Sequence, residues 1–296
     1  VKDTLVYGGY VAGWSLVRKL PERVALGGFA AGADLVWRAQ LKGPRRLASN
    51  LRRVRPDASE AELRALARAG MRTYFRYWCE VFRLQDLTPE KIRSSVVIHN
   101  EPAFWKAIEA GRGVVAALPH MGNWDLAGAW AATVGAPVVA VAQRLTPEKL
   151  FQRFVGYREA IGIEVVPLTG GPDPMPVLAT RLREGRLVCL VADRDLSKRG
   201  VEVSFFGEAT KLPAGPAALA VRTGACLMPV TLWYEGPATH VKFHEPLDPS
   251  GGGRDRIRTL TQAIADEFAV GIAEHPADWH MLQRLWLADL EPRAES

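Results

Sequence analysis

Cysteine is scarce in this chain. Its 296 residues hold three, Cys79, Cys189 and Cys226, far apart and with no C-x-x-C pair. That excludes a disulfide scaffold and a cysteine-built metal site, and it reads as three ordinary core residues of a reducing compartment. Long apolar runs are lacking as well. Residues 6–17 are broken by glycines and closed by Arg18 and Lys19, and residues 24–37 are shorter than the ~20 apolar residues that a spanning helix needs. No basic segment precedes a small-residue cleavage site, so no signal peptide is expected. The common catalytic signatures are missing too: no G-x-S-x-G elbow, no G-x-x-x-x-G-K-[ST] phosphate loop, no H-E-x-x-H and no G-x-G-x-x-G after a strand. Serine hydrolase, P-loop ATPase, zincin and dinucleotide chemistries lose their main support.

What is present is an ordinary globular mix, 48% hydrophobic and 24% charged. A chain of this length buries roughly three quarters of its unfolded surface and needs no metal to hold a core. The net charge of +6 is unevenly spread: residues 1–56 hold 11 Lys and Arg against 3 Asp and Glu, and the rest hold 27 against 29. The excess positive charge, with Arg45, Arg46, Arg52, Arg53 and Arg55 close together, suits an anionic surface. Tyr7, Tyr10, Trp14, Phe29 and Trp37 stand among basic residues in the same segment, as in helices lying in a membrane interface. Helices docked on the protein would share that pattern. The expected arrangement is a segment, about residues 1–45, that lies on an anionic membrane without spanning it. No nucleic-acid motif accompanies the basic residues.

Ser59 and Glu62 form an S-x-x-E capping box before a long helical repeat, whose arginines at 64, 68, 72 and 76 are read as a wet face. From residue 114 the pattern becomes regular. Strand-length apolar runs at 114–118, 137–142, 164–167, 187–192 and 226–233 alternate with helical segments at 124–133, 147–162, 177–184 and 216–223. Residues 201–207 read as a further extended stretch, and 254–274 as a last amphipathic helix. The expectation is α/β: a central, mostly parallel β-sheet flanked by helices, in one domain over 1–296 with an N-terminal helical extension. Residues 250–253 read as a loop.

The block Pro119-His120-Met121-Gly122-Asn123-Trp124-Asp125 carries the chemistry. His120 follows a buried strand, where open α/β sheets place their sites. Asp125 is expected in the first turn of the next helix, facing His120 across a tight turn. A carboxylate on one imidazole nitrogen leaves the other as a general base. The alternative is a satisfied turn histidine and a helix-terminal charge.

His120-x-x-x-x-Asp125 resembles the first signature of glycerolipid and lysophospholipid acyltransferases. With Asn50-Leu51, an Asp193-centred block, Phe205-Phe206-Gly207, Pro213-x-Gly215-Pro216 and Pro276-x-x-Trp279-His280, the chain resembles the bacterial lipid A acyltransferase superfamily over about residues 45–290. Tyr157-Arg158-Glu159, residues 167–171, Asp193-Arg194-Asp195-Leu196 and residues 277–283 are similar to the branch acting on phosphatidylinositol mannosides. The resemblance implies transfer of a palmitoyl group from acyl-CoA to the 6-hydroxyl of a mannose, at the cytoplasmic face of the plasma membrane, with no cofactor or metal.

It also implies His120 as base, Asp125 as its partner, and Arg158 and Asp193 as active-site residues, with Asp195 competing for the place of Asp193. Alternatively Asp193 pairs with Arg194 or Lys198 at the surface. Arg158, then Arg144, are the candidates for acyl-CoA phosphates. Asn123 and Trp124 are candidate oxyanion donors through their amides, and Arg194, Asp195 and Phe206 candidate substrate contacts. Alanine-rich segments 127–132 and 217–220 leave room for an acyl chain. His280 is expected to hold the fold together, and His99, His240, His244 and His275 are read as structural. The alternatives are a related lysophospholipid or lipid A type acyltransferase with another acceptor, or a non-catalytic lipid-surface binding protein.

Overall fold

A computed structural model describes residues 2–195, 200–250 and 253–290; Leu196, Lys198, Gly251 and Gly252 lie outside the described residues. Three helices lead the chain, α1 (Lys2–Lys19), α2 (Glu22–Arg38) and α3 (Lys42–Val54), followed by the long α4 (Glu60–Leu84) and the short α5 (Pro89–Ser94). The alternating part runs β1 (Val96–His99), α6 (Glu101–Glu109), β2 (Val114–Leu118), α7 (Trp124–Thr133), β3 (Val138–Ala142), α8 (Glu148–Ala160), β4 (Ile163–Pro167), α9 (Pro174–Arg183) and β5 (Leu187–Val191). It ends with β6 (Val201–Phe205), β7 (Glu208–Leu212), α10 (Gly215–Thr223), β8 (Cys226–Glu235), β9 (Ala238–Phe243), α11 (Arg256–Glu274), a 3₁₀ turn at Pro276–Asp278 and α12 (Leu287–Leu290).

Seven strands form the central sheet in the order β1-β9-β8-β2-β5-β3-β4. Every pairing is parallel except β8 with β9. The α/β expectation therefore holds. β2 is buried at all five positions, as a central strand covered on both faces must be. Its alternate residues divide the core: Val115 and Ala117 pack with α3, α9, α10 and α11 on one face, and Val114, Ala116 and Leu118 with α4, α6, α7 and α8 on the other. The capping box at α4 forms in full.

Three details differ from the sequence reading. Residues 201–207 are not one stretch. Phe206 and Gly207, with φ of 51° and 78°, turn β6 back on β7 in a separate two-stranded sheet, the positive-φ turn that suits a two-residue hairpin. The arginines of α4 are not simply a wet face. Arg68 and Arg72 both grip Asp34 of α2, at 2.7 and 2.6 Å, and dock that helix on α4. Asp34 is held well below the ordinary carboxylate range by those two hydrogen bonds. Finally, several aromatics of the N-terminal helices turn inward: Trp14 is 2% exposed and its indole donates to Phe82 O at 2.9 Å. Tyr10, Leu16, Val24, Leu35 and Leu41 face outward instead. Among the described residues no helix is long and apolar enough to cross a membrane.

Candidate active site

The parallel pairing of β2 with β5 sets Leu118 opposite Val191. Two residues beyond each, at the same sheet edge, stand His120 and Asp193. Neighbouring strands lie ~4.8 Å apart, so the two side chains are within reach by register alone. His120 Nδ1 donates to Asp193 Oδ1 at 2.5 Å, and the His120 backbone N–H donates to Asp193 Oδ2 at 2.9 Å. The Trp279 indole N–H also donates to Oδ2, at 2.9 Å. Asp193 is fully buried. Burial pushes its pKa up, but the charge of His120 and the three donated hydrogen bonds outweigh that and leave it lowered. An ionised carboxylate thus fixes His120 with Nδ1 protonated, and Nε2 remains as the basic nitrogen.

Asp125 is not the partner of His120. It sits in the first turn of α7, 2% exposed, and accepts from Arg158 Nε at 2.7 Å, Arg158 Nη2 at 3.2 Å and the Tyr77 hydroxyl at 2.8 Å. The reason is geometric. The turn at Gly122 (φ 58°), packed so closely that a Cβ would lie 2.8 Å from Leu232 Cβ, sends the chain into α7, whose first turn meets α4 and α8. His120 meanwhile leans toward β5. Burial lowers the Arg158 pKa, yet the Asp125 carboxylate overcomes it and leaves the guanidinium raised. Burial and the adjacent Asp125 raise the Tyr77 hydroxyl well above its ordinary value.

The other candidates divide. Arg158, Trp124, Arg194 and Asp195 line a cavity of about 1020 Å³ together with His120. Trp124 lies 4.2 Å from the Tyr77 ring and presents an edge to His120 at 5.7 Å. Asp195 accepts from Gly200 N–H at 2.9 Å and belongs to the cavity wall, while Asp193, with its oxygens on His120 and Trp279, makes no surface pair with Arg194. Three candidates do not face the cavity. Asn123 is fully buried: its Oδ1 accepts from Leu126 N–H at 2.9 Å as the N-cap of α7, and its Nδ2 donates to Glu80 at 2.7 Å. Arg144 donates to both oxygens of Glu148 and to Gly170 O, so its guanidinium is engaged by the protein itself. Phe206 occupies the hairpin turn against Phe205, 4.6 Å away.

His280 was expected to hold the fold together, and the structure gives it that role. His280 N–H donates to His120 O at 2.7 Å, and Gly122 N–H donates to Asp278 O at 3.0 Å, so the terminal block is the brace of the His120 turn. The His280 ring lies among Tyr74, Tyr77 and Trp124, with no hydrogen-bond partner on either nitrogen among the described residues. Burial, then the charge of His120, pushes it down to about 3, so it stays neutral and does not compete for a proton. Asn50 donates to Met281 O at 2.7 Å and Gln283 O at 2.9 Å, joining α3 to the same block. The presence of His280 and Trp279 in one short block was the available signal. His99 and His240 bond each other and His244 pairs with Glu267, all away from the cavity. Burial pushes the Cys79 and Cys189 thiols up to about 11 and about 12, which keeps them protonated and inert.

Besides His120, the cavity has a mainly apolar lining that includes Trp78, Phe151, Phe154, Leu168, Met175 and Leu190. An oriented imidazole base within such a lining can serve proton removal beside a bound apolar chain. A smaller cavity of about 70 Å³, lined by Ala127, Gly128 and Ala131 among others, lies between α7 and the sheet.

This parallel sheet with a histidine–aspartate pair beyond its strand ends belongs to a known class: the chain is a member of the bacterial lipid A biosynthesis acyltransferase family, whose model matches residues 3–288. It is 49% identical over 285 residues to the phosphatidylinositol mannoside acyltransferase of Mycolicibacterium smegmatis, covering 95% of this chain and 91% of that protein. To the protein of the same name in Mycobacterium tuberculosis H37Rv it is 48% identical over 293 residues, 98% of this chain and 91% of its relative.

Proposed function

We propose that this acyltransferase moves a palmitoyl group from acyl-CoA to the 6-hydroxyl of a mannose on a phosphatidylinositol mannoside, with His120 as general base. The observation that carries the reading is the His120–Asp193 pair in the lining of a large, mainly apolar cavity, which leaves Nε2 as the basic nitrogen. His120 Nε2 takes the proton of the sugar hydroxyl as its oxygen attacks the thioester carbonyl. The C–S bond of the tetrahedral intermediate then breaks, and the imidazolium returns its proton to the departing CoA sulfur. Asp193 stabilises that imidazolium. A thioester is already activated, so no covalent enzyme intermediate is required. General-base catalysis contributes about 10²–10⁴-fold, and the amides at the start of α7, at its positive dipole end, favour the oxyanion. The Asp125–Arg158–Tyr77 cluster stiffens the wall beside the acceptor, and the exposed apolar and basic residues of α1–α3 rest on an anionic leaflet at the cytoplasmic face.

The test is incubation of the purified protein with palmitoyl-CoA, with and without phosphatidylinositol dimannoside, following free CoA and lipid mass. The expected result is acceptor-dependent CoA release and a palmitate-sized gain on the lipid, both lost in His120→Ala. Acylation of a different lysolipid instead would reassign the acceptor. CoA release without acylated lipid would indicate a thioesterase, and no release by folded protein on vesicles a binding role.

A further inference from the structure

We infer that Glu80 of α4 is a positioning residue for the reaction, holding the start of α7 and thereby the His120 turn through Asn123. Glu80 Oε2 accepts from Asn123 Nδ2 at 2.7 Å and from the Tyr234 hydroxyl at 3.1 Å, while Oε1 accepts from Arg76 Nε at 2.7 Å. Arg76 in turn donates to Gly236 O and Pro237 O, both at 2.8 Å, and lies 3.8 Å from the centre of the Tyr234 ring. One carboxylate therefore ties three elements together: α4, the β8–β9 hairpin and the N-cap of α7. Glu80 is not among the residues lining the cavity that His120 faces, so its influence passes through other groups.

The turn from His120 to Asn123 is held at each end by a different element. His120 is fixed by Asp193 and by His280 N–H, and Gly122 by Asp278 O. At the far end the Asn123 amide spends its oxygen on Leu126 N–H and its nitrogen on Glu80. Loss of the Glu80 acceptor leaves a fully buried amide N–H₂ without that partner, a desolvation cost that the helix start can relieve by moving to find another. Movement is the cheaper response, and it carries the backbone three residues from the base. A misplacement of about 1 Å costs on the order of 10²-fold in rate.

The inference rests on His120 as the base of the proposed reaction, and its test separates reach from charge. Glu80→Gln keeps an oxygen at the distance of Asn123 but loses the ion pair with Arg76. Glu80→Asp keeps the charge and withdraws the acceptor by one methylene. Steady-state kcat and the KM for palmitoyl-CoA are measured at saturating phosphatidylinositol dimannoside, with Tm recorded for each variant. The expected order is Gln within about threefold of the unaltered protein, and Asp and Ala about 10- to 100-fold lower in kcat at unchanged KM. Adding Asn123→Ala to Glu80→Ala should cost less than the sum of the two single changes, since the Asn123–Glu80 contact is removed only once and the cap on Leu126 N–H is the one further loss.

The reverse order, with Asp active and Gln impaired, would overturn the inference in favour of the Arg76 ion pair. A lowered Tm with kcat intact in every variant, or a raised KM at constant kcat, would also overturn it. If Glu80→Ala does not fold, the Asp and Gln pair decides. Full turnover in His120→Ala would instead sink the reading of the base, and this inference with it.

Discussion

Asp193→Asn is the most informative single change. Three donors converge on the native carboxylate: His120 Nδ1–H, His120 N–H and the Trp279 indole N–H. An amide offers one oxygen, so at least one of these donors must face the new N–H₂. If the amide donates to Nδ1, the imidazole proton moves to Nε2 and the ring can no longer take a proton from a hydroxyl. The cost of the wrong tautomer is about 10⁴-fold in kcat. Stability should fall as well, by about 1.5–3 kcal/mol for a lost charge-assisted hydrogen bond in a fully buried setting. Because the native Asp193 pKa is lowered on folding, its contribution to stability is present above the ordinary carboxylate range and is lost as pH falls through the lowered value. The variant should therefore show a shallower loss of stability on acidification. The assay is continuous detection of free CoA thiol on vesicles carrying the mannoside acceptor, alongside urea melts at several pH values. Retention of kcat within tenfold by Asp193→Asn, with its collapse in Asp125→Asn at unchanged fold, would refute the reasoning and restore Asp125 as the partner of His120.

Other perturbations test the surroundings. Asp125→Asn should destabilise the protein by about 3–5 kcal/mol in denaturant melts, because it strands the buried Arg158 without its carboxylate, and Arg158→Lys should not substitute for the bidentate geometry. Asp278, whose Oδ1 has no hydrogen-bond partner among the described residues, is pushed by burial up to about 7. A raised carboxyl pKa means that stability falls as pH rises from about 4 to about 7 and then levels off, and Asp278→Asn should flatten that slope in melts across the window. Replacing the exposed Leu16 and Leu35 by aspartate should weaken sedimentation with anionic vesicles, and added salt should weaken it further.

Much of the framework was legible in the chain because it depends on local chemistry. The capping box of α4 needs only Ser59 and Glu62 three residues apart. The buried strands β2, β3, β5 and β8 declare themselves as short continuous apolar runs. His120 could be singled out because it follows such a run and precedes a helix. Other strands were less legible: β1, at the edge of the sheet, is four residues long, and β7 and β9 alternate with polar residues and carry no continuous apolar signal. The reversal at Phe206-Gly207 was hidden because a bulky residue with positive φ is uncommon in a hairpin turn.

The α/β layering, the histidine turn and the set of polar residues near it follow from local order along the chain, since periodicity and turn chemistry act over a few residues. Which carboxylate serves His120 was decided by the tertiary structure. Asp125 is five residues away and turns into α7, whereas Asp193, 73 residues away, is brought alongside by the pairing of Leu118 with Val191. The roles of Asn123, Trp279, His280 and Glu80 were decided in the same way. Each depends on which element packs against the turn, and neighbours across a sheet or between helices are set by register and burial, which spacing along the chain does not encode.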